Sequence, residues 1–102
     1  MQEKDWKLYR SLIGTWQENY MDYLTKEYVK ILTSSSMPST KFYTLLKRIN
    51  KDKYSKGVIV KLSRSNVIYD VACLINHKII SLSDIKDFSD EFKEEINLLI
   101  RK

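Results

Sequence analysis

Trp6, Tyr9, Ile13, Trp16, Tyr20 and Tyr23 recur at alternating steps of three and four residues, with no proline before position 38. That spacing lays one aromatic stripe along a single α-helix. After a one-position drift the stripe resumes at Leu24, Tyr28 and Ile31, so the periodicity predicts a helix over about residues 5–33. Asp5 is the expected N-cap, and Asp22 with Lys26 forms a well-oriented i,i+4 pair. Gly14 is the weak point: a mid-helix glycine costs ~1 kcal/mol against alanine and marks either a kink or a close helix contact. Such a helix would be about 40 Å long at a rise of 1.5 Å per residue. A domain of this size has a radius of gyration of about 13 Å, so part of the helix is expected to overhang its own core.

Only two glycines and one proline occur in 102 residues, which leaves few tight turns and argues against sandwiches and barrels. The expected architecture is all-α: one domain over residues 1–102, with four main helices plus a short helical turn. Residues 33–38 end the first helix. Ser36 or Ser39 is the expected cap of a second, over residues 39–51, with Phe42, Leu45, Leu46 and Ile49 on its inner face. Residues 51–57 read as a polar connection. A third helix is expected over 58–77, its apolar centre at 67–75 forming the middle of the core. A strand is the competing reading for 58–62 and 67–75, both rich in β-branched residues. Ser81 or Ser83 should open a turn containing Ile85 and Phe88, and Ser89 should cap a last helix reaching Ile100, with Phe92, Ile96 and Leu99 inward.

Charge is divided sharply along the chain. Residues 34–66 hold eight Lys/Arg against the single acid Asp52, whereas the first 33 residues are balanced and the last 36 are net acidic. Lys47, Arg48 and Lys51 are expected on the outer side of the second helix, Lys53 and Lys56 on the connection, and Lys61 and Arg64 at the start of the third. A field arranged this way would hold a nucleic acid or an acidic protein partner, or would pair with the acidic residues 84–95 of its own or another copy. The connection is longer than a helix-turn-helix turn, and little beyond Arg64 and Asn66 could read base edges, so any nucleic-acid binding would be non-specific.

Catalytic equipment is thin. The one histidine, His77, has no ligand-spaced partner for zinc and falls where the third helix should end. Cys73 has no second cysteine to pair with and reads as a buried, inert thiol. Asp84, Asp87, Glu91 and Glu94 share a helical face, but one away from the apolar stripe, as a solvated face does. No catalytic residue, metal or cofactor is expected. No apolar run approaches the length of a membrane span, and the opening residues lack the apolar stretch of a secretory signal, so a cytoplasmic protein without membrane insertion is expected.

The segments Trp6-Lys-Leu-Tyr-Arg10 and Trp16-Gln-Glu-Asn-Tyr20, with Asp87-Phe-Ser-Asp-Glu-Phe-Lys93, resemble small uncharacterised helical proteins of low-GC Gram-positive bacteria. Some of those carry a multidrug-transporter label, which conflicts with the lack of a spanning segment here. The resemblance implies no catalytic residues.

The sequence therefore leads to a non-enzymatic interaction or regulatory protein, a homodimer self-associating through Trp6, Tyr9, Tyr23 and Tyr28 of the first helix. A DNA- or RNA-binding regulator using residues 41–64 is the alternative. An enzyme with a carboxylate site near residues 84–94 is a distant third.

Overall fold

A computed structural model describes residues 1–100. They form four α-helices and two short 3-10 turns, with no strand among the described residues. Helix α1 (Glu3–Leu32) runs through Gly14 without interruption, and a β-carbon added there would meet open space. Gly14 thus marks neither a break nor a close contact. Asp5 is not the cap; that position falls to Gln2, whose side chain makes no capping bond.

Asp5 is instead almost fully buried and ties the two ends of the chain together. Its Oδ1 accepts the Ser89 backbone N–H at 2.9 Å, and its Oδ2 accepts the Ser89 hydroxyl at 2.6 Å. The Ser89 oxygen in turn accepts the Phe92 N–H at 3.2 Å, which caps helix α4 (Asp90–Leu99) as its serine predicted. A carboxylate at this position also complements the positive end of the α4 dipole.

The first half of α1 packs with α4 and helix α3 (Val67–Asn76) to make the body of the molecule. Tyr9, Ile13 and Trp16 meet Val67, Val71 and Leu74 of α3, Phe92 and Ile96 of α4, and Ile80, Ile85 and Phe88 from the segment between them. The rings form a continuous ladder from Trp6 through Tyr9, Trp16 and Phe88 to Phe92, with neighbouring centroids 4.3–6.5 Å apart. Such pairs add to area burial through edge-to-face and offset packing. Ser81 opens the turn at Leu82–Ile85 with a capping box closed by Asp84. Leu99 is half-exposed rather than inward.

The third helix begins nine residues later than its β-branched lead-in suggested. Residues 53–63 are turns and extended backbone, and a 3-10 turn (Arg64–Asn66) leads into α3 at Val67. Val58, Ile59 and Val60 lose side-chain freedom in a helix, and Gly57 directly before them is a poor helix former. Gly57 is needed for another reason: a β-carbon there would overlap the Tyr20 ring, so only glycine lets the connection cross α1 this closely.

Helix α2 (Pro38–Asp52) starts at a proline rather than behind a capping serine. Pro38 at the first helical position lacks the N–H that a cap would otherwise satisfy. With the second half of α1 it forms an antiparallel hairpin that projects from the body as an arm. The expected overhang is therefore present: the molecule measures 52 × 26 × 18 Å, with a radius of gyration of 16.3 Å against ~13 Å for a compact chain of this size.

Candidate functional site

Two surfaces of the arm are chemically distinctive, and both follow from how α2 is rotated on α1. The inward residues of α2 are Lys41, Leu45, Arg48 and Asp52, not the expected Phe42, Leu46 and Ile49. The cause is a buried polar knot. Asp52 Oδ2 accepts the Tyr28 hydroxyl at 2.7 Å and the Arg48 Nε–H at 2.9 Å, and the guanidinium lies 5.9 Å from the Tyr28 ring. Burial, then the bond to Asp52, pushes the Tyr28 hydroxyl up to about 12. A buried carboxylate must keep its partners, so this knot turns the apolar stripe of α2 about a quarter turn outward.

One flank of the arm is the result. Tyr28 and Ile31 of α1, and Lys41, Leu45 and Arg48 of α2, lie along the contact line. The residue directly after each of them is exposed and apolar: Val29, Leu32, Phe42, Leu46 and Ile49, all between 40% and 63% exposed. In an antiparallel pair of right-handed helices, the residues following the contact line fall on the same side of both. These five therefore share one two-helix face, extended by exposed Met37 and Tyr43. Half of the sixteen large, exposed apolar side chains among the described residues lie between positions 23 and 49.

The opposite flank is different in kind. Where the arm meets the body, a cleft of about 930 Å³ is lined by Tyr20 and Tyr23 of α1, Arg48 and Lys51 of α2, Tyr54 and Lys56 of the connection, Tyr69 and Cys73 of α3, and His77 and Lys78 just past its end. Lys56 Nζ sits 3.0 Å from the buried Asp70 carboxylate, whose hydrogen bond raises the Lys56 pKa. The same ammonium lies 5.9 Å from the Tyr69 ring. A hydrogen bond to Cys73 raises the Tyr69 hydroxyl in turn. Cys73 is half-buried on the cleft wall rather than sealed in the core.

The sequence-derived basic residues do not gather into one outward zone. Arg48 faces inward on Asp52, Lys56 is held by Asp70, and Arg64 pairs with Glu3 at 2.6 Å and lies 6.0 Å from the Trp6 ring. Lys47, Lys51, Lys53 and Lys61 remain exposed, with Lys53 5.2 Å from the Tyr54 ring. Among the described residues, no ion pair joins residues 41–64 to the acids of 84–95, which are solvent-facing. Nor do the four expected self-association residues form a surface. Tyr9 is 1% exposed in the core, Trp6 packs against it, Tyr28 is bound to Asp52, and only Tyr23 is open to solvent, on the cleft side.

Sequence reading missed Val29, Leu32, Tyr69 and Lys78. The signal for Lys78 was faint but physical: a lysine directly after a helix end, in the place that glycine usually takes. No helix is long and apolar enough to cross a membrane, and no cluster of three or more potential metal ligands exists, among the described residues. Neither a protein-family model, a curated protein nor a solved structure matches the chain.

Proposed function

We propose that this is a non-enzymatic, cytoplasmic interaction protein that pairs with a second copy of itself through the apolar flank of its arm. The observation that carries the reading is the unpartnered two-helix face of Val29, Leu32, Phe42, Leu46 and Ile49. A patch of this kind on a small soluble domain is costly unless covered. A twofold pairing of identical hairpins would cover both faces at once and generate a four-helix bundle. The contact thus belongs to the arm and chiefly to α2, not to the aromatic stripe of α1. The alternative of a basic nucleic-acid face along residues 41–64 is supported less well, because three of its eight cations, Arg48, Lys56 and Arg64, are tied to carboxylates of the same chain.

Sedimentation equilibrium tests the reading. The wild-type chain should sediment at twice its mass of 12.2 kDa. Leu46→Glu, at a position already half-exposed, should return it to the single-chain mass while leaving the far-ultraviolet circular dichroism unchanged. A wild-type protein that stays at the single-chain mass at high micromolar concentration would overturn the proposal.

A further inference from the structure

The cleft on the other flank takes no part in the pairing face, and its chemistry points elsewhere. We infer that it is a binding site for a base-bearing phosphate ester: a nucleotide, free or at the end of a single strand, with its base on a tyrosine ring and its phosphate among Lys51, Lys56 and Lys78. Three separate observations support this assignment.

The first is the lining. Tyrosines from α1, the connection and α3 converge on one cavity, and Tyr23, Tyr54 and Tyr69 each leave more than half of their surface open. Open rings beside cations are how single-stranded nucleic acids and nucleotides are held without base-edge readout. The volume is at the upper end of the range for small-ligand sites.

The second is the charge balance. Four cations line the cleft: Arg48 is paired with Asp52 and Lys56 with Asp70, which leaves Lys51 and Lys78 in excess, with His77 beside them. Asp52 is already occupied by Tyr28 and Arg48. Lys56 is held at 3.0 Å by Asp70, which is not itself part of the lining. Lys51 and Lys78 have no carboxylate partner among the described residues. The cavity therefore presents two unpaired ammonium groups beside a paired one, and each can donate charge-assisted hydrogen bonds to a phosphate.

The third is a strained backbone. Helix α3 ends in a Schellman motif: the Ile79 N–H bonds to the Leu74 carbonyl at 2.9 Å and the Lys78 N–H to the Ile75 carbonyl at 3.0 Å. The motif places its left-handed residue at Lys78, with φ of 60°, the one positive φ among the described residues. Glycine suits this position far better than lysine. A lysine here sacrifices stability and places an ammonium on the cleft wall.

Cys73 supplies the assay, because the chain's single thiol lies on the cleft wall. The rate of its alkylation in the full-length protein is measured with adenosine monophosphate, a short oligothymidylate, adenosine and inorganic phosphate as separate probes. The nucleotide or the oligonucleotide should slow the reaction in a saturable way, and adenosine or phosphate alone should do so far less. Protection by the mononucleotide identifies a free nucleotide as the ligand, whereas protection by the oligonucleotide only identifies a single strand. Lys78→Gly should raise the melting temperature and yet weaken protection by about tenfold or more, the value of one charge-assisted contact. Tyr54→Ala, at an exposed ring, should weaken it without changing the melting temperature. Absence of protection by every probe, equal protection by phosphate alone, or undiminished protection in Lys78→Gly would each overturn the assignment. Because Leu46 lies outside the cleft, Leu46→Glu should be protected normally whether or not the chain pairs.

Discussion

The body and the arm share one helix but are built on opposite economies of burial. In the body, α1 commits Tyr9, Ile13 and Trp16 to an apolar core and uses a single buried carboxylate, Asp5, to clasp the far end of the chain. In the arm, the same helix meets α2 through Leu24, Tyr28 and the buried Asp52, and the apolar side chains of α2 are left outside. The difference shows that a helix's apolar stripe does not decide which face turns inward when a buried charge must be satisfied. Leaving a carboxylate unpaired in a low-dielectric seam costs several kcal/mol, more than a few half-exposed side chains regain by rotating inward.

Removing the carboxylate from each region separates their contributions. Asp5→Ala removes the acceptor of two hydrogen bonds at the body's closure and leaves the Ser89 donors unpaired, and should lower stability to urea by about 3 kcal/mol. Asp52→Ala should cost less, about 1–2 kcal/mol, because Arg48 and Tyr28 lie close enough to the surface to find water. Equal losses would mean that the arm is as tightly integrated as the body.

Alkaline titration sharpens the same contrast. Tyr9 in the body, through burial first and Asp70 second, and Tyr28 in the arm are both pushed up to about 12. An unfolded chain releases these protons near 10, so the fold holds them more tightly than the unfolded state does. Both hydroxyls stay neutral below pH 10, and the folded state loses stability relative to the unfolded chain as the pH rises from about 10 through about 12. The melting temperature should therefore fall over that window. Tyr9→Phe should shallow the fall, and should also stabilise the protein at neutral pH by about 1 kcal/mol, since the Tyr9 hydroxyl is buried with no hydrogen-bond partner. A marked loss of stability on that substitution would show that the hydroxyl has a partner after all.

The smallest effect is expected at Gly14, which faces open space on the body half of α1. Gly14→Ala should raise stability to urea by about 0.5–1 kcal/mol.

Much of the body was legible in the sequence because its signals are local and agree with one another. The 3-4 spacing of Trp6 to Tyr20, the serine caps at Ser81 and Ser89, and the apolar run at 67–75 each point to the same packing. The one-position drift between Tyr23 and Leu24 also has a meaning: it is where α1 changes partner from body to arm. The rotation of α2 was not legible, because it depends on Asp52 meeting Tyr28, a contact between residues 24 positions apart. For the same reason the basic segment looked like one surface, although its cations are drawn to acids on different elements. The cleft was invisible as a unit, since its walls come from four segments that only the crossing at Gly57 brings together.

The clasp between Asp5 and Ser89 has a consequence for how the protein is made. The α1–α2 hairpin draws its buried knot from Tyr28, Arg48 and Asp52 alone, so all of its partners have left the ribosome once Asp52 has. The first turns of α1 must wait for the C-terminal quarter before their buried aspartate finds its serine. During synthesis the arm is therefore assembled while the aromatic ladder still lacks Phe88 and Phe92. In that interval the apolar flank of the arm, from Val29 to Ile49, is already exposed.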